Sequence, residues 1–359
     1  MSTAKQENQV NLENQTKQVD QADQADQADQ ADQVNQADQQ RQADQLKQEK
    51  KNWYNQKEKG NNFFLTLTGL IVKYTPLWFI TLTTYVVASF YYFTNKTLRG
   101  DIKKYQDNLT SYFPDLKLGF LAPLKQVVNF ADSVVNRVAS AQGRKVYREL
   151  LVEDPDNLLA EVSQDPAGKR GQVFFFSHIG SIQICQTFLH YKAHKDFKLN
   201  ILLDKKNSQK LHKVLSKSGD KQMGQNFNII TVDSLDSQQM LNLANRVERG
   251  EWFAISADRL SENGDKYVTE DFLGHQAKFP LGAWILASLL QTPINFIYCI
   301  KQKQQIIISL EKFAPVITEK GAKRTQKIKQ LISTYAQHLE AKCRKYPLYW
   351  FNFFDFWQK

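Results

Sequence analysis

From about residue 124 onward the chain alternates short, nearly unbroken apolar runs with stretches whose apolar residues recur every three or four positions. VFFFS (173–177), LNILL (199–203), NIITV (228–232), WFAIS (252–256) and INFIYCI (294–300) predict buried strands. LKQVVNFADSVVNRVAS (124–140), SQKLHKVLSKSG (208–219), SQQMLNLANRVERG (237–250) and PLGAWILASLLQ (280–291) have helical spacing, several with glycine or proline borders, and a last long helix is expected near 322–345. Strands alternating with helices imply an α/β fold with a mostly parallel central sheet flanked by helices, here over residues 123–359.

The first 122 residues follow other rules. Around QADQADQADQADQ (21–33) there is almost no large apolar side chain, and a three-residue period drifts around a helix of 3.6 residues per turn. Residues 1–50 therefore read as a disordered, low-complexity tail. Residues 51–122 read as a membrane-associated helical segment, because Lys73 is the only charged side chain from Phe63 to Phe93. YTPLWFITLTTYVVASFYYF (74–93) is about the ~20 residues that cross a bilayer core. Threonines and tyrosines dilute it and Pro76 interrupts its start, so a spanning helix, an interfacial helix and a buried core helix all stay open. Lysines flank both sides and leave the orientation open. At the other end, YPLYWFNFFDFW (346–357) must pack onto the body or enter a membrane surface.

Charge sharpens this division. Residues 1–46 hold three cations against nine anions, a net −6, which leaves +16 for the rest of a chain whose formal charge is +10. Such a body is drawn to anionic lipid, nucleic acid or an acidic protein. Lys205, Lys206, Lys210, Lys213, Lys217 and Lys221 form a solvated face or a docking surface of this kind, and no nucleic-acid motif accompanies them. Cys185, Cys299 and Cys343 give neither a disulfide framework nor paired metal ligands, and the histidines show no metal spacing, so no metal or cofactor is expected.

The chemistry gathers at strand ends. In a parallel α/β sheet ligands bind beyond the carboxyl ends of the strands, where His178 follows VFFFS and Asp258 and Arg259 follow WFAIS. Gly180 allows a tight turn, and a helix after it would bring residue 183 round to face His178. An acid there would orient the imidazole and stabilise its protonated form, but the residue is Gln183.

HIGSIQ resembles the histidine-plus-acid box of the lysophospholipid acyltransferase superfamily. WYNQKEKGNN, FFFSHIGSIQICQ, ISADR, DFLGHQAKFPLGAWILASLLQTPI and YPLYWFNFFDFW, in that order, resemble the predicted acyltransferases related to lipid A biosynthesis acyltransferases. The resemblance implies transfer of an acyl group from an acyl-carrier-protein or coenzyme A thioester to a membrane lipid or glycolipid, at the cytoplasmic face of a bacterial inner membrane. His178 would be the general base, with amide donors nearby for the oxyanion. Gly180 and Ser181 would lie at the substrate, Arg259 would bind phosphate, and Phe279, Pro280 and Gly282 would build the acyl or acceptor pocket, with Pro280 starting a helix.

Ser181 and Gln183 depart from the family's HxGNxE wording. Gln183 can hold a tautomer but brings no charge. That leaves reduced activity, an acid from another segment with Asp258 the first place to look, or a non-catalytic lipid-binding or scaffold protein derived from the fold.

Overall fold

The computed structural model describes residues 75–141, 144, 148–181, 193–203, 227–232, 236–260, 266–302 and 304–357. The proposed tail, Gln183, Cys185, the expected helix at 208–219 and the lysine run lie outside the described residues. Those described belong to one unit, 62–359.

Seven strands form the main sheet: β1 (Glu149–Glu153), β2 (Val173–Phe176), β3 (Leu199–Leu203), β4 (Phe227–Thr231), β5 (Trp252–Ser256), β8 (Ile294–Gln302) and β9 (Gln305–Ala314). Their spatial order is β1-β9-β8-β2-β5-β3-β4, with β8, β2, β5, β3 and β4 parallel and β9 turning back antiparallel to β8. The fold is thus α/β with a mostly parallel sheet. β6 (Tyr267–Phe272) and β7 (His275–Pro280) make a separate antiparallel hairpin.

The unbroken apolar run of β2 has a simple cause. Val173 and Phe175 enter the larger core on one face of the sheet, while Phe174 and Phe176 enter the second core on the other. A strand covered on both faces has no polar side to show.

Among the described residues the helices are α1 (Leu77–Thr94), α2 (Lys96–Tyr112), α3 (Ala122–Ala141), α4 (Leu158–Ser163), α5 (Ser237–Glu248), α6 (Gly282–Leu289) and α7 (Gly321–Lys345). Asn95 caps α2 by accepting from the Leu98 amide at 3.1 Å, and Asp236 with Gln239 forms a capping box on α5. Leu98, Ile102, Tyr105 and Leu109 form the buried stripe of α2, and the last two reach the larger core.

α1 begins at Leu77, so Pro76 starts the helix rather than interrupting it. Its 18 residues span about 27 Å, and no described helix is long and apolar enough to cross a membrane. Ile80, Thr84 and Ala88, four apart, are buried, whereas Trp78, Leu82, Val86, Val87, Phe90 and Phe93 are exposed.

The aromatic C-terminal segment packs onto the body. Trp350 is fully buried, with ring centroids 4.8 Å from Tyr105, 5.4 Å from Phe272 and 5.0 Å from Phe356.

Candidate active site

Adjacent parallel strands β2 and β5 pair Phe176 with Ser256, so the residues leaving their carboxyl ends stand side by side. Two residues further on, His178 Nδ1 lies 2.7 Å from Asp258 Oδ1, and the His178 amide donates to Asp258 Oδ2 at 2.8 Å. Asp258 is completely buried; the His178 side chain is 28% exposed.

Burial alone would drive the Asp258 carboxyl upward. The His178 ring and amide, with Arg259 beyond, more than reverse this and hold it at about 2. Ionised at neutral pH, Asp258 only accepts, so Nδ1 carries the proton and Nε2 the basic lone pair. Ser256 Oγ donates to Oδ1 at 3.1 Å, while Trp350 Nε1 and Asn352 Nδ2 lie 3.4 and 3.3 Å from Oδ2.

The loop after His178 is tied down from both sides. Phe351 donates its amide to the His178 carbonyl at 2.7 Å, Gly180 donates to Tyr349 at 2.9 Å, and Ser181 donates to Cys299 at 2.8 Å. Gly180 has φ +72°, and a Cβ there would stand 1.9 Å from the Cys299 carbonyl oxygen. Only glycine fits. The amides of His178, Gly180 and Ser181 are all committed within the protein, so the oxyanion donors that the resemblance implies are not these three.

Other expected site residues take different places. Arg259 donates through Nε to Asn352 Oδ1 (2.5 Å) and through a terminal nitrogen to the Phe351 carbonyl (2.8 Å), and its guanidinium lies 5.5 Å over the Phe354 ring. Phe279 is fully buried among Phe272, Tyr335 and Phe356, a core position rather than a pocket wall. Pro280 ends β7 instead of starting a helix, because α6 begins at Gly282. A Cβ on Gly282 would meet nothing within 4 Å, so no neighbouring backbone needs the space.

Ser181, Gly180, Lys301, Asn129, Tyr349 and Phe351 are among the residues that line a shallow depression with only about 10 Å³ of room. Lys301 is held there by Asp132 (3.0 Å) and Asn136 (3.1 Å). No group of three or more possible metal ligands occurs among the described residues.

Trp350 and Asn352 escaped the sequence reading. The only signal was the polar asparagine inside an aromatic run that had to be buried somewhere. Compared with known proteins, the chain matches no family model and no curated protein.

Proposed function

We propose that the chain is an acyltransferase that moves a fatty acyl group from an acyl-carrier-protein or coenzyme A thioester to a hydroxyl or amine of a membrane lipid or glycolipid. The observation that carries this reading is the 2.7 Å contact between His178 Nδ1 and the buried, ionised Asp258. It supplies from β5 the negative charge that Gln183 cannot.

His178 Nε2 takes the acceptor's proton as the acceptor atom attacks the thioester carbonyl. The tetrahedral intermediate then collapses, the carbon–sulfur bond breaks, and the leaving thiolate receives the proton from the imidazolium. Asp258 stabilises that imidazolium without itself becoming protonated.

The outward face of α1 supports a membrane surface as the place of work. Phe90 is 70% exposed and Phe120, in the loop before α3, is 97% exposed. Leu77–Thr94 contains no charged residue, while Lys96, Arg99, Lys103 and Lys104 follow at once. An apolar face beside a basic one suits the boundary of an anionic leaflet, and the inner-membrane cytoplasmic face is the proposed location.

A non-catalytic lipid-binding protein is the second reading. It is favoured by how little room the depression beside Gly180 offers, about 10 Å³, far below the ~300 Å³ at which ligand pockets usually begin. Labelled acyl-carrier-protein and acyl-coenzyme A thioesters, offered with extracted lipid to membranes holding the protein, separate the two. Transfer that disappears in His178→Ala supports the enzyme. Lipid retention without transfer supports the second reading.

A further inference from the structure

We propose that Asn352 is a positioning residue that locks the Asp258 carboxylate against His178, and that Arg259 aims it; this rests on the acyltransferase reading above. A guanidinium has only donors, and an ionised carboxylate only accepts. The Asn352 amide lies between them, with Oδ1 accepting from Arg259 Nε at 2.5 Å and Nδ2 directed at Asp258 Oδ2, 3.3 Å away. The reverse orientation would set oxygen against carboxylate and NH2 against guanidinium. Arg259 therefore fixes which end of the amide faces the acid.

The effect on the carboxylate follows from how its oxygens are shared. Oδ2 has the His178 amide, Asn352 and Trp350 around it, whereas Oδ1 has Ser256 and the imidazole. Held at Oδ2, the carboxylate cannot rotate, and Oδ1 stays on Nδ1. The chain of influence runs from Arg259 through Asn352 and Asp258 to His178. It joins residues 80 to 94 positions apart in sequence, so no local turn can replace it. Arg259 thereby acquires a role other than phosphate binding, one that its contacts to Phe351 and Phe354 also serve.

Orientation rather than substrate binding is at stake, so the expected signature is a lower kcat with little change in KM. The first readout is independent of acyl transfer: the tautomer of His178, from nitrogen shifts of the ¹⁵N-histidine-labelled full chain in lipid nanodiscs. Wild type is expected as the Nδ1–H form. Asn352→Leu removes the donor and should give mixed tautomers, with kcat lower on the order of 10-fold and KM within about twofold. Asn352→Asp keeps the partner for Arg259 but offers Asp258 a carboxylate. Its defect should grow as pH rises and the added acid ionises.

Should Asn352→Leu fail to fold, the nearly isosteric Asn352→Asp variant decides alone. A folded Asn352→Asp protein with wild-type tautomer and rate across pH 5 to 9 would overturn the proposal. If wild type transfers no acyl group, the function reading fails while the tautomer comparison still decides on Asn352.

Discussion

His178 and His338 each lie beside a carboxylate, at 2.7 Å from Asp258 and 3.3 Å from Glu311, but those carboxylates are engaged very differently. Asp258 Oδ1 receives the His178 ring and one serine hydroxyl. Glu311 accepts from the Lys342 ammonium and from Ser309, both at Oε1, and His338 Nε2, which faces Oε2, does not reach hydrogen-bond alignment with it. His338 instead stacks on Phe296, ring centroids 4.6 Å apart, and burial pushes it down to about 4. Proximity to an acid does not make a base. What matters is whether burial outweighs the acid's pull, and at His338 a neighbouring ammonium adds its weight to burial.

The comparison breaks hardest at the acid. Asp258→Asn keeps the shape but removes the charge, and the tautomer it imposes, so acyl transfer should fall on the order of 10³–10⁴-fold in a thioester assay, by analogy with a triad whose acid becomes an amide. A loss below tenfold would mean that His178 takes its partner elsewhere.

His338 carries a stability effect instead. Its folded pKa of about 4 lies below the ordinary 6.5, so the unfolded chain takes up a proton that the folded one refuses. Stability is therefore full above pH 6.5 and declines as pH falls toward 4. Urea unfolding at pH 7 and pH 5 should differ by roughly 1–2 kcal/mol through this group, and His338→Phe should flatten that part of the profile.

Lys342→Met should bring the two histidines closer in behaviour. With the competing ammonium removed, Glu311 turns its charge to His338, and the His338 titration followed by NMR should move upward toward the ordinary range. An unmoved or lowered titration would show that burial alone sets it.

The smallest effect belongs to Gln183→Glu. With Asp258 already on Nδ1, a second acid has no vacant role there, and activity should stay within about threefold of wild type. A large gain would assign the acid's work to position 183.

Much of this is legible in the sequence. His178, Asp258 and Arg259 follow apolar runs that could only be buried strands, and parallel strands gather their carboxyl ends. β1 and β9 were missed because ELLVE is short and half-exposed at an edge, and the residues after Lys301 break the apolar run with polar side chains before β9 resumes. Periodicity does not show the β6–β7 hairpin, because YVTEDF and HQAKFP have only a weak alternation and one ends in proline. The work of Trp350 and Asn352 was invisible for a different reason. Their contacts join residues about 90 apart or more, through a segment with no helix or strand period to reveal which way each side chain points.

That C-terminal segment also sets a schedule. Residues 350–352 supply donors around Asp258 and close the backbone over His178, so a growing chain that has produced the whole sheet still lacks a finished site. Such long-range closures form slowly, after local structure. A nascent or clipped chain ending before Tyr346 would carry both members of the pair but lack the Trp350 and Asn352 donors at Asp258 Oδ2. On the acyltransferase reading proposed above, thioesters would then meet a fully framed base only on chains whose synthesis and folding had already run through the aromatic segment.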